Sequence, residues 1–226
     1  LWDQLLTMVV PNGRNVYAIA TTDAHNLGIV DSGYTIMLME ENTSADLKDC
    51  MASGEFFAAS KYVGCPEEQN EIYADLLEMG TPEALALAEE YKACIDSGEK
   101  FYAGEDVAQP VINYVIVDDT ADIISLSVSE TVYTRWISNG KVIATGNTID
   151  LDDYSDVIGN YVRAEMYGPS GVVYSQPFTL DYDGAPTYEL NDNFVDFGYP
   201  VSLICDTIVK ALPYILPLKL IFLIFG

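Results

Sequence analysis

Apolar and polar positions change their period repeatedly along the 226 residues. Over residues 1–60 the pattern is that of an α/β unit. Leu1 to Val10 places apolar residues at helical spacing, and Pro11-Asn12-Gly13 is a turn. Val16 to Ala20 is a short continuous apolar run, the pattern of a strand buried on both faces of a parallel sheet. A second run, Tyr34 to Met39, follows a loop. Asn42-Thr43-Ser44 then offers an N-cap, Leu47, Cys50 and Met51 share one helical face, and Gly54 is placed to end that helix in the left-handed region. Residues 66–100 read as two helices. The second is capped by Thr81, has Pro82 at its first position, carries an apolar stripe through Ala84, Leu87, Ala88, Tyr91, Cys94 and Ile95, and stops at Gly98.

From Pro110 to Tyr182 the period becomes two. Strands are predicted over Val111–Val117, Ile123–Val128, Thr131–Ile137, Val142–Ala144, Tyr161–Tyr167 and Val172–Leu180, with turn signals such as Asn139-Gly140 and Pro169-Ser170-Gly171 between them. Many short strands at this spacing imply a β-sandwich. Trp136 in mid-strand and Tyr161 after Gly159-Asn160 resemble the core tryptophan and tyrosine corner of an immunoglobulin-like domain, without its cysteine pair. Asp181 to Asp196 is acidic and turn-rich. Tyr199 to Gly226 is strongly apolar, but it reaches the roughly 20 residues of a membrane-spanning helix only by including Asp206, Lys210 and Lys219, with Pro213 and Pro217 inside. A membrane anchor and an apolar C-terminal helix docked on the protein both stay open, so the chain is read as membrane-anchored through 199–226 or cytoplasmic. The changes of period divide it into 1–65, a helical connector over 66–108, the β-domain over 109–182, a linker over 183–198 and the apolar segment over 199–226.

Charge removes one class of partner. Ten Lys and Arg stand against 35 Asp and Glu, a formal charge of −25 that repels the phosphate backbone, so no nucleic-acid backbone binding is expected. A phosphate ester in a pocket is still compatible, because a bound metal ion can invert the local sign. Cys50, Cys65, Cys94 and Cys205 form no Cys-x-x-Cys pair and read as small buried apolar residues. The chain opens on Leu1 without the charged and apolar regions of a signal peptide, which reads as a start inside a longer protein.

One local signal carries chemistry. Thr21-Thr22-Asp23-Ala24-His25-Asn26 follows the Val16–Ala20 run, and His25 is the sole histidine. A carboxylate and an imidazole two residues apart, just past a strand, are ordinary ligands for zinc, iron or manganese. A loop aspartate capping the backbone beside a solvated histidine has the same spelling. There is no Gly-x-Gly-x-x-Gly, no P-loop, no Gly-x-Ser-x-Gly, and no second histidine for a nucleophilic triad.

Trp2-Asp3-Gln4-Leu5-Leu6, Arg14 to Ala20 running into Asp23-Ala24-His25-Asn26, and Lys48 to Ser60 with Gly54-Glu55-Phe56-Phe57 together resemble the closing segment of a PHP (polymerase and histidinol phosphatase) domain. The resemblance covers about the first 60 residues. It implies an α+β multidomain chain: a partial α/β barrel segment, the end of a PHP-type barrel, then the helical connector, an immunoglobulin-like β-sandwich and the apolar C-terminal helix. It also implies a metal-dependent phosphoesterase in which Asp23 and His25 are ligands of divalent zinc, manganese or iron, acting on a phosphate-ester small molecule or nucleotide. The family's opening His-x-His and its intermediate His and Glu ligands have no counterpart here, which implies a chain inactive by itself. The alternative is a non-enzymatic surface or binding protein whose β-sandwich is the functional module.

Overall fold

The computed structural model describes residues 1–25, 30 and 32–180. The helices are α1 (Trp2–Val9), α2 (Ser44–Ser53), α3 (Pro66–Met79) and α4 (Pro82–Ser97). Their ends follow from local chemistry. Thr43 and Thr81 accept hydrogen bonds from the backbone N–H groups of Asp46 and Ala84, at 3.1 and 3.2 Å. Gly54 closes α2 at φ +82°, and its missing Cβ leaves the space that the Tyr17 ring occupies.

The strands are β1 (Gly33–Met37), β2 (Phe56–Ser60), β3 (Tyr62–Val63), β4 (Phe101–Tyr102), β5 (Ile112–Asp118), β6 (Ile123–Val128), β7 (Tyr133–Ser138), β8 (Lys141–Thr145), β9 (Thr148–Asp150), β10 (Tyr161–Gly168), β11 (Gly171–Tyr174) and β12 (Phe178–Thr179). A seven-stranded sheet runs β1-β2-β11-β10-β7-β8, with β12 pairing β10, beside a three-stranded sheet β5-β6-β9 and the pair β3-β4. Every strand pair among the described residues is antiparallel.

The expected barrel segment is therefore corrected: no sheet among the described residues is a barrel. Val16–Ala20 forms no strand at all, and the second run, expected over Tyr34–Met39, gives β1 at Gly33–Met37, which pairs antiparallel with β2 as the sheet's edge. The fold is mixed α+β with several antiparallel sheets and, among the described residues, four α-helices. The join between β2 and β11, with Ala59 opposite Val173, draws the segment before residue 65 and the β-rich segment after 109 into one sheet. No helix among the described residues is long and apolar enough to cross a membrane. The linker over 183–198 and the segment over 199–226, with the anchor or docked helix read there, lie outside the described residues.

Period-two alternation decides what each face of the main sheet meets. Phe57 and Ala59, Trp136, Val162, Ala164 and Met166, and Val173 project from one face and form a single core with Ile124, Leu126 and Ile149 of the three-stranded sheet. Tyr133, Tyr167 and Val172 project from the other and pack on Ile72 and Leu76 of α3 and Ala84, Leu87 and Tyr91 of α4. Further along that second face Tyr161 meets Leu6 of α1 and Val10. Both β7 and β10 are thus buried on both faces along their whole length. Cys50 is buried as expected. Cys65, at the N-cap of α3, is exposed instead.

Candidate functional site

The segment after α1 leaves the helix through Pro11 and runs without regular secondary structure to the Asp23 loop. It has the composition of a strand, but side chains supply its hydrogen bonds. The Trp2 indole donates to the Val16 carbonyl at 2.8 Å, and the Tyr17 hydroxyl donates to the Ser53 carbonyl at 3.1 Å. The Gln176 amide accepts from Ala18 N–H and donates to Ala18 C=O, both at 2.8 Å. The Thr35 hydroxyl accepts from Ala20 N–H at 3.2 Å and donates to Ala20 C=O at 3.0 Å. The Thr21 carbonyl passes over Gly33, where a Cβ would stand 3.2 Å away. This arm ends at Asp23 and His25, both exposed.

Two features of that loop bear on chemistry. Asp23 adopts φ +46°, a left-handed conformation uncommon for a residue with a side chain. The His25 Nδ1 lies 2.6 Å from the Asp23 backbone carbonyl. A carbonyl only accepts, so Nδ1 carries the proton, and in the neutral ring the lone pair is left on Nε2. Metal-binding histidines are commonly oriented by such a bond from the ring nitrogen that does not ligate. No group of three or more His, Cys, Asp or Glu able to hold a metal occurs among the described residues. Asp23 and His25 stand as two potential donors two residues apart, fewer than such a group needs. Of the acidic residues nearby in sequence, Glu40 and Glu41 are exposed, and Asp31 lies outside the described residues.

The helix-covered face of the main sheet carries an ion chain. Arg163 clamps the Asp3 carboxylate of α1 with Nε at 2.8 Å and Nη2 at 2.7 Å, and gives Nη1 to Glu165 at 2.6 Å. Arg135 donates to the other Glu165 oxygen at 2.7 Å and to Glu68 of α3 at 3.2 Å. The Tyr161 and Tyr167 hydroxyls close on Asp3 and Glu165. Burial pushes the Glu165 carboxyl up, but the charges of Arg163 and Arg135, with bonds from Tyr167 and Arg163, outweigh it, and the group stays below its ordinary range. Burial likewise raises Asp3, and the bonds and charge of Arg163 bring it below its ordinary value. Burial and the neighbouring Asp3 push the Tyr161 phenol up to about 12. The chain fixes α1, and hence the start of the arm, to the sheet.

A cleft of about 1060 Å³ opens where the β5-β6 hairpin meets the main sheet. Its walls are apolar, with Phe57, Val115, Ile124, Leu151 and Phe178, and Glu55, Asp118, Asp119, Asp122 and Asp152 also line it.

No family model, no curated protein and no solved structure matches the chain.

Sequence reasoning placed Asp23 and His25 but not the residues that hold them. Arg163 and Glu165 alternate with Val162, Ala164 and Met166, which reads as the solvated face of a half-buried strand. The signal available was Tyr161 and Tyr167 bracketing that polar face, since a wet face has little use for two large rings.

Removing one partner of a buried ion chain leaves the other charges uncompensated, so Glu165→Gln is expected to cost about 3–5 kcal/mol in urea unfolding at neutral pH. Asp3 and Glu165 have folded pKa values below their ordinary 3.8 and 4.5. Their contribution is complete above those ordinary values and is lost as pH falls through the lowered ones, so stability declines from about pH 5 downward. The Glu165→Gln protein should lose less over that window. Parallel acid profiles for the two proteins would contradict this assignment.

Proposed function

We propose that this chain is the closing part of a metal-dependent phosphoesterase, with Asp23 and His25 as two ligands of a divalent zinc, manganese or iron ion and an immunoglobulin-like β-sandwich as its accessory domain. The observation that carries the reading is the His25 ring: Nδ1 is engaged by the Asp23 carbonyl at 2.6 Å, and among the described residues the exposed ring's Nε2 meets no hydrogen-bond partner. The mixed nitrogen and oxygen donors suit these metals. When bound, such an ion polarises a phosphoryl oxygen and acidifies water. The chain's own part is to carry a carboxylate and an imidazole two residues apart on a tethered arm. The other ligands come from elsewhere in a longer protein, and this chain alone is inactive. The sandwich assignment is supported by strand order. Sheet β5-β6-β9 faces β8-β7-β10-β11, which corresponds to strands A-B-E against C′-C-F-G of immunoglobulin-like domains, with Trp136 buried on the strand in position C. Tyr161 departs from the tyrosine corner, its hydroxyl bonding Asp3 of α1 rather than the backbone just upstream.

A second reading, a binding protein whose β-domain is the working module, is favoured by the cleft. Apolar walls with five carboxylates among the lining suit a ligand with an apolar body and a cationic end. Part of that charge is already used, since Asp118 caps the turn by accepting from the N–H groups of Thr120 and Ala121.

The metal reading is tested by titrating zinc into the chain while following the imidazole resonances, which report one residue because His25 is the sole histidine. Zinc is expected to shift them weakly and saturably, and Asp23→Asn to abolish the saturation. An unshifted ring at millimolar zinc, or a response indifferent to Asp23→Asn, counts against the reading. For the cleft, a cationic amphiphilic dye below its micelle concentration should bind and its anionic counterpart should not. The joint variant Asp122→Asn with Asp152→Asn should weaken the cationic dye; equal binding of both dyes would exclude the second reading.

A further inference from the structure

We infer that Gln176, at the end of the β-domain, is a positioning residue for the Asp23–His25 pair, an inference that rests on the metal reading above. The arm has the composition of a strand, forms none, and pairs with no strand among the described residues. At Ala18 the Gln176 side chain takes the place of one, because its amide oxygen and nitrogen meet Ala18 N–H and C=O with the two-point geometry of a ladder partner. A primary amide is the side-chain group with the donor and acceptor of a peptide unit. Leucine has neither, and glutamate would keep the acceptor for Ala18 N–H while setting a second oxygen against the Ala18 carbonyl.

The amide itself is fixed. Gln176 is 6% exposed. The Ser175 hydroxyl before it accepts from Ala164 N–H of β10 at 2.8 Å and donates to the Gln176 carbonyl at 2.9 Å, and Pro177 after it locks the backbone. The partner of Ala18 thus stands on the sheet's rigid frame. Thr35 of β1 repeats the arrangement at Ala20, so two alternate residues of the arm are held immediately before the loop begins.

Only two residues, Thr21 and Thr22, separate Ala20 from Asp23. A loop rooted at both clamps presents carboxylate and imidazole in a narrow set of relative positions. Without the clamps those positions would have to be ordered at the moment of metal binding, which weakens the site. In this account the β-domain is part of the metal site's support, acting on it through an amide that touches neither ligand.

The test uses the full chain with zinc as the probe, read on the His25 ring and at a temperature well below unfolding. Gln176→Leu should weaken zinc about tenfold, the scale at which supporting groups tune metal sites. The zinc-free protein should show faster hydrogen exchange at the Ala18 amide and loss of the single Nδ1–H tautomer. Should the leucine variant not fold, Gln176→Glu is read in the same way. A folded variant that binds zinc as tightly as the unaltered chain overturns the positioning role while leaving the metal reading standing. No zinc response at His25 in the unaltered chain overturns both, whereas a merely structural Gln176 would lower the melting temperature and leave zinc affinity unmoved.

Discussion

Two arginines and a glutamate that cannot reach bulk water decide how this chain is assembled. Arg135, Arg163 and Glu165 lie on the helix-covered face of β7 and β10, and each charge must be answered within the protein. Asp3 answers from α1 and Glu68 from α3, two residues 65 positions apart in sequence. The chain has only ten Lys and Arg against 35 acidic residues, so placing two of its few cations inside is a strong constraint. It requires that helices, not solvent, cover this face. The Arg163 guanidinium also stacks over the Trp2 ring at 4.8 Å, and the Trp2 indole holds Val16 at the root of the arm. The structural core and the candidate site thereby share a continuous set of contacts.

What could be read from the sequence was local. The caps at Thr43 and Thr81, the left-handed stops at Gly54 and Gly98, and the turn at Asn139-Gly140 each depend on a few neighbouring residues, and each stands where the sequence places it. Strand existence was legible for the same reason, with β6 running over the predicted Ile123–Val128. Strand partnership was not. The pairing of β2 with β11 joins residues more than a hundred positions apart, and no periodicity encodes it. The two-residue strands β3 and β4 are too short to show a period at all.

The Val16–Ala20 run shows how a correct pattern leads to a wrong element. An apolar pentapeptide rich in β-formers reads as a buried strand whether its ladder bonds come from a backbone or from side chains. Here they come from Gln176 and Thr35, residues whose own neighbourhoods, Ser-Gln-Pro and a β-strand, announce nothing of the kind. The residue types at the end of the run were more legible than the backbone geometry around them. Asp23 and His25 are visible as residue types, whereas the left-handed turn at Asp23 and the Nδ1 bond to its carbonyl appear only once the chain is folded.

The claim that depends on all of this is that Asp23 and His25 bind one metal ion together. Crystals of the chain soaked in zinc and measured at the zinc absorption edge address it directly. The account predicts an anomalous peak about 2.0–2.1 Å from His25 Nε2 and about 2.0–2.2 Å from an Asp23 carboxylate oxygen. A map with no peak at that loop, or with zinc bound to His25 alone and the Asp23 carboxylate turned away, would contradict it.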